Sequence, residues 1–270
     1  MPKTMLRVAA ALAFCCLPSM GMAFNVTVLP TGDSTGGTLV DGVWIPTEDS
    51  TIVQADLQAW LDTGDVTIKT NGPGDIEFGR SNENLGDFNI STPSRTLALE
   101  ADGNARVQTS VREESTGAMN LVVSASGSVT IDKQLITNGG HFTSTGTDFA
   151  GPNVRINTGG GDVFLNHTGS VSKFEALTGG GDVTSSGTDF SCAISCIETD
   201  GGKVTLNHTG SVEITNGGVR TGGGDFISSG TDFSCSQGGC ITAGGNVTLN
   251  HTGSVEMIDT GVSTGGGDFR

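Results

Sequence analysis

Three histidines, His167, His208 and His251, recur at matched places in this chain, and so do three aspartates, Asp148, Asp189 and Asp232. Aligned histidines could hold a metal ion. Paired carboxylates about 10 Å apart could do the acid–base work of an inverting glycosidase. Four cysteines fall into two local pairs, Cys192/Cys196 and Cys235/Cys240, which could bind zinc or close disulfides. Residues 32–36, reading GDSTG, fit the G-x-S-x-G of a serine nucleophile elbow. What each set can do depends on the elements that position it.

The histidines belong to the phrase LNHTGSV, which occupies residues 165–171, 206–212 and 249–255. The aspartates belong to the phrase TDF, at 147–149, 188–190 and 231–233. Both return every 41 to 43 residues. Glycine clusters split this unit into coils at 139–158, 159–178, 179–200, 201–221, 222–243 and 244–264, each 20 to 22 residues long. Residues 117–138 read as one more. Gly, Thr, Ser, Val and Asn dominate, which are poor helix formers, and no leucine-rich consensus is present. The expected fold is all-β: a parallel β-helix with two or three short strands per coil and turns at Gly, Asn and Asp. Val204-Thr205-Leu206 and Val212-Glu213-Ile214 alternate in and out, with Val219, Phe190 and Phe233 as further core contacts. One coil buries too little to stand alone, so stacking must supply the stability.

That architecture weakens each candidate site. Equivalent residues in alternate coils stand two rungs, about 10 Å, apart. Two ligands of one metal ion must sit much closer, so the expected role of each histidine is a turn residue beside Asn166, Asn207 or Asn250. The repeated aspartates lack the cleft that long irregular loops would build. The elbow motif needs a strand before it and a helix after it, and has a Thr/Gly loop instead. The Asn-His-Thr sequons at 166, 207 and 250 read as ladder asparagines whose amides bond along the stack. The residues after each glycine cluster run His141, Asp162, Asp182, Lys203, Asp225, Asn246, Asp268; only Asp162 and Asp182 are adjacent like charges. A calcium β-roll repeats every nine residues and does not fit coils of this length. The cysteine pairs follow the same phrase, and their even count in an exported chain reads as disulfides Cys192–Cys196 and Cys235–Cys240. No catalytic residue, metal ligand or cofactor is assigned.

Residues 1–23 have a positive start at Lys3 and Arg7, a short apolar stretch and a Gly-Met-Ala end at 21–23. This is the pattern of a secretory signal peptide. Phe14 before Cys15 argues against lipidation. No other apolar run approaches a membrane span. The signal carries two basic and no acidic residues, leaving 11 basic and 29 acidic, a net of −18. Such a charge argues against nucleic acid and anionic membranes as partners. Residues 24–116 read as a cap plus irregular first coils, and 117–270 as regular coils. In the first part, 24–29 is a strand and 31–37 a loop. Ser50 or Thr51 caps a helix over 55–62 that carries Leu57, Trp60 and Leu61 on one face. Short strands follow at 66–69, 75–78, 87–90 and 96–99. Residues 265–269 repeat 222–226, so the chain reads as stopping mid-coil.

The segments IVQADLQAWL (52–61), GDVTI (64–68), GDI (74–76), TLALEA (96–101) and LVVSASG (121–127) resemble the exported bacterial β-helix proteins of the filamentous-haemagglutinin type, the adhesins of two-partner secretion. The resemblance spans most of the chain after the signal. It implies export to the medium or cell surface, a right-handed β-helix, adhesion to a surface receptor or glycan, and an outer-membrane secretion partner. The Asn-Pro-Asn motifs common in that family are absent. The sequence reading is thus a secreted or cell-surface adhesive stalk without enzymatic activity. The alternatives are a glycan- or ice-binding solenoid and a carbohydrate-active enzyme. Only one outward Thr per strand, as in Val-Thr-Leu, argues against ice.

Overall fold

The protein, as a computed structural model, is described over residues 22–79, 87–193 and 196–270. Residues 1–21, the bulk of the expected signal peptide, lie outside them. The chain winds into a β-solenoid of about 10 turns, its coils about 22 residues apart. Each regular coil has two or three strands, faces B and C sharing one continuous strand in several of them, so the stack has three faces, A, B and C. Face A carries Phe142–Gly146, Val163–His167, Val183–Gly187, Val204–His208, Phe226–Gly230 and Val247–His251 in unbroken parallel register. Face B stacks Phe149 on Val171, Phe190, Val212, Phe233 and Val255. Face C stacks Ile156 on Ala176, Ile197, Val219, Ile241 and Val262. The expected fold, the seventh regular coil and the in–out alternation at Val204 and Val212 are all present.

The doubled period has a cause in side-chain volume. On face A, one coil places Ser185 and Gly187 inward, and the next places Leu206 and His208 at the same register. The small coil compensates on face B with Phe190, where the large one has Val212. The same exchange recurs with Ser144, Gly146 and Phe149, and with Ser228, Gly230 and Phe233. Close packing forbids two large layers in succession, so two coils make one repeat.

The corner between faces C and A explains the glycine clusters. A buried Thr closes it, with Thr178 Oγ1 donating to Gly181 O. Gly180 has φ +121°, a conformation open to glycine. A Cβ on Gly181 would sit 2.1 Å from Gly161 O on the coil below. The backbones there stack too closely for any side chain.

The N-terminal end departs from the regular coil. Helix α1, Gln54–Thr63, takes the place of a face C strand in the first coil. Leu57 and Leu61 are fully buried, and Trp60 stacks on Trp44 at 5.4 Å. Gln54 Nε2 donates to Asn89 O at 2.8 Å. The Gln58 amide donates to Ser91 O and accepts from Ser91 N. Side-chain amides thereby satisfy backbone of the first face C strand, Phe88–Ile90, that would otherwise be a free edge. Two expectations fail here. The N-cap is Val53, without a side-chain bond, while Ser50 lies in the preceding strand, where its hydroxyl accepts from Trp44 Nε1 at 3.1 Å. Residues 31–37 are not all loop: Thr35–Val40 pairs antiparallel with Val43–Val53. Asp41 and Gly42, at φ 49° and 79°, make the two-residue turn that such a hairpin favours.

Replacing Gly181 by Ala should destabilise the fold by about 1–3 kcal/mol through overpacking. Gly261, with nothing within 4 Å of its Cβ position, should tolerate Ala within about 0.5 kcal/mol. Urea unfolding of the two variants checks the contrast.

Candidate functional site

The histidines are core residues, which corrects their reading as turn residues. His167 and His208 are each 3 % exposed. They end strands whose inward positions alternate, as in Val163, Leu165, His167. Each Nε2 pairs with a serine hydroxyl one coil below: Ser144 with His167 at 3.1 Å, Ser185 with His208 at 3.1 Å, Ser228 with His251 at 3.0 Å. Each ring lies against the phenylalanine of that same lower coil, at 5.5, 5.4 and 5.4 Å for Phe149, Phe190 and Phe233. Nδ1 of every ring is enclosed without a hydrogen-bond partner. An imidazolium would leave that N–H unsatisfied in a dry site. Burial accordingly pushes His167 and His208 down to about 4, against the opposing pull of Asp148 and Asp189. His251 is lowered for the same reason.

The structure places the repeated aspartates outside the wall. Asp148 Oδ1 accepts from Ser170 N at 2.8 Å, Asp189 Oδ1 from Ser211 N at 2.8 Å, and Asp232 Oδ1 from Ser254 N at 2.7 Å. The hydroxyls of Ser211 and Ser254 add a second bond to the latter two. Asp232 is held below the usual carboxylate range by those Ser254 bonds, backbone first. Ser144 and Ser185 are fully buried, so no substrate carbonyl can reach their Oγ. The Ser–His pairs are packing devices.

A second ladder runs along the corner before face A. Asp162 N donates to His141 Nδ1, Asp182 N to Asp162 Oδ1, and Lys203 N to Asp182 Oδ1, at 2.9, 2.8 and 2.7 Å. The neighbouring Asp162 and Asp182 thus each accept an N–H from the rung above, which offsets their repulsion. Among the described residues no cluster of three His, Cys, Asp or Glu could hold a metal.

Both cysteine pairs are disulfides, Cys192–Cys196 and Cys235–Cys240, with Cα–Cα distances of 5.7 and 6.0 Å. All four cysteines are buried. They cross the corner between faces B and C in alternate coils. The coil between them turns that corner with Asn216, Gly217 and Gly218, leaving a groove of about 450 Å³ reached by Arg155, Glu175, Glu198 and Arg220. The repeat region therefore does carry a recess, made by small corner residues. Arg155 and Glu175 pair across it at 3.7 Å.

Ser34 of the elbow-like motif accepts from Val53 N at 3.0 Å and simply pins its loop. Asn166 and Asn207 of the sequons accept from the hydroxyls of Ser186 and Ser229 at 2.9 Å, in line with their reading as ladder asparagines. Sequence reasoning missed Glu113, which is 4 % exposed. It accepts from Thr92 N, Thr92 Oγ1, Ser115 N and Ser115 Oγ. The alternation of Val111-Arg112-Glu113 marked it as inward, with no signal for its partners.

Face A is what the repeat leaves most uniform. Its outward side chains form two files. One is Thr143, Phe164, Thr184, Thr205, Ile227 and Thr248; the other is Thr145, Asn166, Ser186, Asn207, Ser229 and Asn250. None of these is charged, in a chain with 29 acidic residues. Along these six coils the charges lie on the other faces, for example Glu213 and Glu256 on B, and Arg155, Glu175, Glu198 and Arg220 on C, whereas the earlier coils of face A carry the Lys69–Glu100 pair.

Comparison with known proteins finds no matching family model, no matching curated protein and no matching solved structure. No helix among the described residues is long and apolar enough to cross a membrane.

The histidines set a pH dependence. An unfolded histidine titrates near 6.5, while His167 and His208 titrate near 4 in the fold. The fold therefore favours the neutral ring. Its contribution is complete above about pH 6.5 and is lost as pH falls towards 4. Each ring should account for about 1–3 kcal/mol of that loss. In melts taken from pH 7.5 to 4.5, His208→Gln should flatten the acid decline while lowering stability at pH 7.5. An unchanged slope would remove the histidine from the account.

Proposed function

We propose that the protein is an exported, non-enzymatic adhesive stalk that attaches to a surface through face A. The uncharged character of that face carries the reading. A chain this acidic repels anionic surfaces over most of its area. From Phe142 to His251 face A offers hydroxyls, amides and a few apolar groups without a charge to desolvate. It is flat and rises about 4.8 Å per rung, so six coils give a strip of roughly 25 Å. The partner that suits it is an uncharged, hydroxyl-rich surface such as a neutral glycan. Phe164, 40 % exposed, adds an aromatic contact. Phe164 and Ile227 also interrupt the threonine file, which disfavours ice.

Export is supported by the basic–apolar–small pattern of residues 1–23 and by two disulfides, which persist in oxidising compartments. The resemblance to filamentous-haemagglutinin adhesins supports attachment as the role. Catalysis finds less support, because the aspartates are tied to backbone and the serine–histidine pairs are enclosed.

Co-sedimentation with insoluble neutral polysaccharides, and adhesion to intact cells, test the proposal. Thr143→Asp combined with Thr205→Asp, three coils apart, should lower binding at least 10-fold. Glu213→Gln on face B should leave it unchanged. Equal binding by all three proteins would refute face A as the contact.

A further inference from the structure

Chain order and spatial order disagree at one place in the stack. On face A the first two rungs touch directly, Val43 against Thr67 and Trp44 against Ile68. On face B the corresponding rungs, residues 50–53 and Ile76–Phe78, do not. Val26–Leu29 lies between them, parallel to both, with Val26 opposite Ser50 and Ile76 and Val28 opposite Ile52 and Phe78.

The segment is held as fully as any rung. Ser50 N donates to Asn25 O at 2.9 Å, Val26 N to Asp75 O at 2.9 Å, and Gly79 N to Val28 O at 2.8 Å. Asn25 also joins the corner ladder: its N–H donates to Asp49 Oδ1 at 2.8 Å, and its Oδ1 accepts from Asp75 N at 2.9 Å. Val26 and Val28 are fully buried.

Geometry explains the extra strand. Helix α1 fills the first rung of face C, and a helix is about 10 Å thick. A strand is about 4.8 Å thick. The first coil therefore tilts, opening on face B by one strand. Val26–Leu29 fills that opening. Without it, two strand edges would face each other about 10 Å apart, too far to bond.

We propose that the gap between residues 50–53 and Ile76–Phe78 is a strand-acceptor site. Its ligand is an extended peptide of pattern Asn-apolar-polar-apolar, and Asn25–Val28 is the resident one. Both walls lie later in the chain than the ligand, so the segment stays unpaired until residue 78 is in place. It then closes the N-terminal end as a latch, and the site accepts the same segment as a separate peptide, by strand addition.

The test uses the chain from residue 24 onward and a version starting at residue 30. A fluorescent peptide of residues 24–30 should bind the shortened chain and raise its melting temperature by about 5–15 °C. It should not bind the longer chain, whose site is filled. A peptide with Val26→Asp and Val28→Asp should bind neither. A shortened chain that melts like the longer one and ignores the peptide would overturn the proposal. If the shortened chain does not fold, a protease site placed within residues 30–34 permits cleavage after folding. Native mass spectrometry should then find residues 24–29 still attached without a covalent link. Their loss with no change in melting temperature would overturn the site.

Discussion

The contact on which the regular stack depends is the one between a small coil and the large coil above it. Ser185, Gly187 and Phe190 of one coil meet Leu206, His208 and Val212 of the next. The imidazole fits because glycine and serine leave room for it, and it bonds that serine while covering that phenylalanine. A slip by one coil would set histidine on histidine and phenylalanine on phenylalanine. A slip by one residue would turn the inward file outward. The Ser–His bond is the polar element that makes the correct register distinguishable from a merely apolar one. Its neutrality is part of the same fit, since a charged ring has no second acceptor there.

Stacking confers burial that no coil has alone. Val212 is fully buried, whereas Val255, in the same phrase and slot, is 47 % exposed at the last rung. Phe226 and Phe269 show the same contrast, 0 % against 54 %. The difference is the presence of a coil above. Stability in such a molecule is a sum over interfaces between neighbours, and its ends need separate treatment. At the N-terminal end the treatment is a helix whose glutamine amides stand in for a strand.

The regular coils were legible in the sequence because their interactions are periodic. Glycine clusters marked the corners, alternation marked the strands, and matched phrases marked the register. The cysteine pairs were legible for the same reason. The histidines are less legible because LNHTGSV carries turn formers at one end; extending the Val-x-Leu-x-His alternation by one step puts the ring inside. The N-terminal end was legible only in part. Leu57 and Leu61 gave away the helix, but its cap followed a Ser/Thr preference that a buried Trp44–Ser50 bond overrides. The Asp41–Gly42 dipeptide is itself a hairpin signal. The insertion of Val26–Leu29 between rungs 24 and 50 residues downstream has no periodic trace at all, because it depends on helix thickness.

Electrostatics decides where function can lie on this molecule. Acidic residues at the corners are consumed by the fold: each Asp of the two ladders below the last rung accepts a backbone N–H from the rung above, which fixes the corner and spreads the carboxylate charge into the stack. Charged side chains pair on face B as Arg106–Asp132, on face C as Arg155–Glu175 and on the first coils of face A as Lys69–Glu100, and these surface pairs contribute little stability. Over coils 142 to 251 face A carries neither. Inward residues there are set by volume and corner residues by backbone bonding, whereas outward threonine, serine and asparagine answer to neither constraint. Solubility alone would favour charge at such positions. Its absence over six consecutive coils is therefore the feature that packing and folding leave unexplained, and it is the feature on which the proposed contact with an uncharged surface rests.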